Sequence, residues 1–122
     1  MNLTCLPPQF CIVEYRTKQS DSLEPKAKHV ILVALFHLDE EDDRCKLRLF
    51  VDPHWREFVQ EEDRNYVESL LRDFVGRAEQ DPEMLFQHIC TLGAGPLVAA
   101  EAGTGFSDSP SRLTLIERLV QL

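Results

Sequence analysis

The chain has 122 residues, of which 43% are hydrophobic and 28% charged, the balance of one ordinary globular domain spanning 1–122 and not of a disordered or fibrous segment. Its 21 acidic residues outnumber 13 basic ones for a formal net charge of -8, and the cations are scattered, which argues against nucleic acid and an anionic membrane surface as partners. The N-terminus lacks the basic and apolar regions of a secretory signal, and the longest apolar run, Val30 to Phe36, is too short to span a bilayer, so a cytoplasmic protein is expected.

After Pro7-Pro8, Gln9 to Arg16 is rich in aromatic and β-branched residues and reads as a first strand. A polar connection with Pro25 leads to His29 to Leu38, a nearly continuous apolar run that suits a strand covered on both faces. The charged turn Asp39 to Arg44 joins it to Cys45 to Asp52, where Cys45, Leu47, Leu49 and Val51 alternate onto one face. Short connections imply antiparallel pairing, so these three segments predict a β-meander.

Asp52-Pro53 supplies a capping carboxylate followed by Pro at the first helical position, and a helix is expected from there with Trp55, Phe58 and Val59 inward. The polar run Gln60 to Asn65 predicts a kink or break near Glu62. From Tyr66 the apolar stripe resumes through Val67, Leu70, Leu71, Phe74, Val75 and Ala78 with helical spacing. Asp81-Pro82 repeats the start signal for a helix that buries Leu85, Phe86, Ile89 and Leu92 and stops at Gly93, with Pro96 barring continuation. Pro96 to Ala102 is a short strand expected at an edge, because Pro cannot donate to a ladder, and Gly103-Thr104-Gly105 is expected to turn the chain. Beyond Ser109-Pro110 the apolar residues of SRLTLIERLVQL gather on one side of a helical wheel, which favours a last amphipathic helix over a strand. The fold class is therefore α+β, a mainly antiparallel sheet in the order β-β-β-α-α-β-α with helices packed on it.

The candidate chemical sites are weak, and no catalytic residue, metal site or cofactor is assigned. Neither Gly93-Ala94-Gly95 nor Gly103-Thr104-Gly105 completes a phosphate-binding fingerprint, and Gly105-Phe106-Ser107-Asp108-Ser109 lacks the last glycine of a nucleophile elbow. The acidic turn after His37 lacks the alternation and glycine of a calcium loop. Cys5, Cys11, Cys45 and Cys90 contain no C-x-x-C pair and are expected as small hydrophobic thiols in a reducing compartment.

Function does not follow from such an architecture. The feature that stands out is the sheet's second face, where Phe10, Ile12 and Phe50 lie opposite the main core face; helices on one side alone would leave an aromatic patch of the kind that marks association, to be covered either by the C-terminal helix or by a second subunit. The expectation is a non-enzymatic, self-associating interaction or regulatory module, a homodimer by the usual two-fold arrangement, with another protein partner also open. Its interface candidates are Phe10, Ile12, Phe50 and Trp55, with Leu115 and Leu119 of the C-terminal segment. The alternative is a small enzyme or small-molecule-binding protein with a pocket near the Gly93–Gly95 and Gly103–Gly105 turns, using Ser107, Asp108, His54 and His88 as polar groups.

Overall fold

The computed structural model describes residues 9–16, 29–39, 41, 43–104 and 120–121. Strands β1 (Gln9–Tyr15), β2 (His29–Asp39) and β3 (Arg44–Val51) form the predicted antiparallel meander. β4 (Leu97–Thr104) pairs antiparallel with β1 and closes one edge; the two-residue β5 (Val120–Gln121) touches β3 at the other, for an order of β4-β1-β2-β3-β5. Between β3 and β4 the chain makes three helices, α1 (Trp55–Phe58), α2 (Glu61–Gln80) and α3 (Pro82–Cys90). The architecture is the expected α+β sheet with helices packed against it.

The side-chain alternation of the strands decides which face the helices take. Cys11, Val13 and Tyr15 of β1 join Leu47, Leu49 and Val51 of β3 in the main core, where Val67, Leu71 and Phe74 of α2 and Leu85, Phe86 and Ile89 of α3 meet them. The centre of β2, Ile31 to Ala34, is buried throughout, as its unbroken apolar run predicts. Phe10, Ile12 and Val33 form a second cluster on the opposite face, flanked by half-buried Val30, Leu35 and Phe50. β1 serves both clusters despite register shifts at Val13/Glu14 against β2 and at Ile12/Val13 against β4, irregularities of the kind that bend and twist a strand.

The helices begin and end differently from the sequence expectation. Asp52 Oδ1 accepts from the His54 N–H at 2.9 Å, but regular helix starts only at Trp55 and lasts one turn. Val59 is already extended (φ -82, ψ 129), so the break falls before Glu62 and the segment is two helices. The polar run is the start of α2, where Glu61, Glu62 and Asp63 oppose the positive end of the helix dipole. At the edges of the α2 stripe, Tyr66 and Val75 are 51% and 43% exposed, leaving Val67, Leu71 and Phe74 as its buried line. α3 keeps its predicted start: Asp81 Oδ1 accepts from the Met84 N–H at 3.4 Å and Pro82 occupies the first turn.

Two expectations near the C-terminus are corrected. Gly103 and Thr104 do not turn the chain but continue β4, paired with Phe10 and Gln9. The glycine serves a close approach, since a Cβ there would lie 3.3 Å from the Phe10 ring. Gly103→Val therefore overpacks this contact and is expected to lower stability by about 1–3 kcal/mol in urea titration, whereas Gly93→Ala, whose added methyl meets only a backbone oxygen at 4.0 Å, costs less. Second, Val120 and Gln121 are strand, pairing with Val51 and Phe50, so a helix from Ser109-Pro110 to the chain end is ruled out at its last turn. A two-residue ladder is decided by its partner strand, which local periodicity does not contain. The expected helix start and Leu115 and Leu119 lie outside the described residues.

Candidate functional site

The polar groups proposed for a pocket do not converge among the described residues. His54 sits at the start of α1, with a largely exposed side chain whose Nδ1 is 3.8 Å from Glu57. His88 lies in α3 and meets the Phe74 ring edge-on at 6.1 Å between centroids. Gly95 faces the Tyr66 side chain and Gly103 the Phe10 ring. Ser107 and Asp108 lie outside the described residues. Among the described residues no group of three or more His, Cys, Asp or Glu is placed to hold a metal. At the acidic turn Asp39 instead accepts the Glu41 N–H and holds Lys46 Nζ at 2.6 Å.

The interface candidates are placed as follows. Phe10 (2% exposed) and Ile12 (6%) are already buried within one chain, against the expectation of an open aromatic patch; Phe50 is half-buried with the Arg48 guanidinium 5.4 Å from its ring centroid. Trp55 packs into the main core beneath the Arg56 guanidinium, 4.4 Å from its ring centroid, an anchor for α1 and not a surface ring. Of the cysteines among the described residues, Cys45 differs from expectation. Cys11 and Cys90 are free thiols, while Cys45 is disulfide-bonded.

An open depression that sequence reasoning missed lies beside β3. It encloses about 640 Å³ between the strand, from Arg44 to Leu49, and the corner where α2 gives way to α3, at Val75, Ala78, Glu79, Gln80 and Pro82. Both parities of β3 line it, so it runs along the flank of the strand away from β2, for about 17 Å at the usual rise per residue. Leu47, Leu49, Val75 and Pro82 give it apolar surface. Arg44, Lys46 and Arg48 also line it, with Glu79 as the lining carboxylate; Lys46 is paired with Asp39 and Arg48 stands over the Phe50 ring. The lining, among the described residues, has no histidine, serine or free thiol, so it offers cations and apolar contact in place of a nucleophile and base. The three cations were visible in the sequence as Arg44, Lys46 and Arg48 at alternate positions, the one local signal for this wall.

At the opposite side of the helical layer, the Tyr15 hydroxyl donates to Asp63 Oδ2 at 2.6 Å and accepts from the Gln60 N–H at 3.1 Å. This fastens the start of α2 to the end of β1. Burial, followed by the hydrogen bond to Asp63, pushes the phenol pKa up to about 12. No helix among the described residues is long and apolar enough to cross a membrane. Comparison with protein-family models, with curated proteins and with solved structures finds no match for this chain.

Proposed function

We propose that this chain is a non-enzymatic protein-interaction module that holds a peptide segment of alternating apolar and acidic side chains in the groove between β3 and the α2–α3 corner. The observation that supports it is the groove's lining: an apolar floor beside Arg44, Lys46 and Arg48, of which Lys46 is shared with Asp39, in an otherwise acidic protein. Complementary charge of this kind selects partners and orients them, while apolar contact at the floor supplies the affinity. Selecting a random-peptide display library on the folded protein is expected to enrich apolar-acidic sequences. Val75→Glu, which places a carboxylate on the groove wall, is expected to weaken their binding about tenfold or more with little change in stability. Failure to enrich any sequence, or equal binding to the variant, overturns the proposal.

Self-association is the second reading, favoured by Val30, Leu35 and Phe50, which stay only partly covered on the second face. A homodimer through this rim is expected to show a mass that rises with concentration in sedimentation and falls back for Phe50→Glu; a constant monomer mass removes it. For the compartment, the free thiols of Cys11 and Cys90 support the cytoplasm and the bonded Cys45 weighs against it. Rapid alkylation of protein in intact cells, followed by mapping of Cys45, decides between them.

A further inference from the structure

The second face of the sheet is sheltered although no described helix lies on it. Phe10 (2% exposed), Ile12 (6%) and Val33 (0%) are buried there, yet every buried residue of α1, α2 and α3 belongs to the core on the first face. That burial is reached within one chain, so a second copy is not what provides it.

We propose that the chain's own connection from β4 to β5, residues 105–119, crosses the sheet diagonally over this face and docks its apolar side on Phe10, Ile12, Val33 and Phe50. The inference goes beyond the groove reading and does not rest on it; it competes with self-association through the same face. The antiparallel ladders from β4 through β1, β2 and β3 to β5 make the first and last strands parallel, at opposite edges of the sheet. A crossover that joins parallel strands of one sheet is right-handed in nearly all proteins. Ala99 shows which face this selects. Its side chain joins the helix-covered core, and its N–H points away from β1 to the Leu92 carbonyl at 2.9 Å. For an L-residue this places β1 to the left of β4 when β4 runs upward and is viewed from the helices. β5 is then at the far left, and a right-handed path to it runs behind the sheet, across the second face. The helix side is already filled by α2 and α3.

The distances and the chemistry fit. Four strand spacings separate the two edges, about 19 Å, and the rows Thr104–Gln9–Phe36 and Val120–Val51–Leu32 lie about 13 Å apart along β2. Residues 105–119 reach about 22 Å as a helix and further where extended, enough for a diagonal of about 23 Å. The cross-strand row Ile12, Val33 and Phe50 lies along that path and ends at Gln121 of β5. In the connection, Leu115, Ile116 and Leu119 fall on one side of a helical wheel with Thr114, Glu117 and Arg118 opposite, so an apolar side is available to meet the apolar row.

The test is nuclear magnetic resonance on the wild-type chain, in a mixture of isotope-labelled and unlabelled protein that separates contacts within a chain from contacts between chains. Methyl groups of Leu115, Ile116 or Leu119 are expected to show nuclear Overhauser contacts, within one chain, to the ring protons of Phe10 or Phe50. Contacts to these rings from residues 1–8 or 17–28 in their place, or contacts only between chains, overturn the proposal. Leu119→Glu is expected to lower the melting temperature by about 10 °C or more, because it sets a carboxylate against an apolar face, and Arg118→Glu on the polar side by less than about 2 °C. Equal shifts also overturn it, and the wild-type contacts decide where Leu119→Glu fails to fold.

Discussion

Phe74→Ala is expected to lower the stability of this protein by about 3–5 kcal/mol, or the melting temperature by roughly 10–20 °C. Phe74 is fully buried at the centre of the α2 stripe, between Val67 and Leu71 on its own helix and the apolar face of the sheet, and meets His88 of α3 edge-on. Truncating it removes most of an aromatic ring from a site that α2, α3 and the sheet enclose from three sides, so collapse around the void is limited. Against a total of about 5–15 kcal/mol for an ordinary domain, that loss threatens folding itself. The adjacent residue sets the contrast. Val75 is 43% exposed, and Val75→Ala is expected to change stability by less than about 0.5 kcal/mol, since the lost contact is mostly with water and alanine is the better helix former. Urea unfolding of both variants checks the helix orientation directly; equal costs would mean that α2 is rotated about its axis. The same contrast makes the groove variant at this position interpretable, because its binding defect cannot then be a folding defect.

The strands were legible because their signals are local and agree with the tertiary answer. The apolar run of β2 is long enough to be covered on both faces, and the alternation from Cys45 to Val51 sorts Leu47, Leu49 and Val51 into the core. Asp81-Pro82 marked α3 because the cap acts within a few residues of itself. The errors fall where a distant partner decides. Gly103 looks like a turn residue until the Phe10 ring is known to lie across from it, and Val120 looks helical until Phe50 and Val51 offer it a ladder. Phe10 and Ile12 read as an open patch because the alternation gives a face and not what shelters it; the structure buries both.

The groove was illegible for the same reason. The cations of β3 are local, but their wall exists only because the last turns of α2 settle alongside. Geometry of that kind is a product of packing, and a single sequence records its ingredients without their arrangement.

Raising the pH is expected to weaken the fold through Tyr15, beginning where an exposed tyrosine ionises and continuing above it. Its pKa is pushed up to about 12 in the folded chain, against about 10 for an exposed tyrosine, because burial and then the hydrogen bond to Asp63 disfavour the phenolate, with the Gln60 N–H opposing them. The folded state therefore holds a proton that the unfolded state releases first. The stabilisation is fully present below pH 10 and is lost as the pH climbs towards 12, amounting to about 1–2 kcal/mol across that window once solvent screening at the part-buried hydroxyl is allowed for. Tyr15→Phe keeps the ring against Phe58 but strips the Gln60 N–H and Asp63 of their shared partner, at a cost of about 1–3 kcal/mol near neutral pH. Other groups titrate at high pH as well, so the informative quantity is the stability difference between the two proteins, measured by urea unfolding from about pH 9 to about pH 12. That gap is expected to be flat at first and to shrink as the wild-type phenol ionises. A gap that stays constant throughout would show that the hydroxyl does not fasten α2 to the sheet.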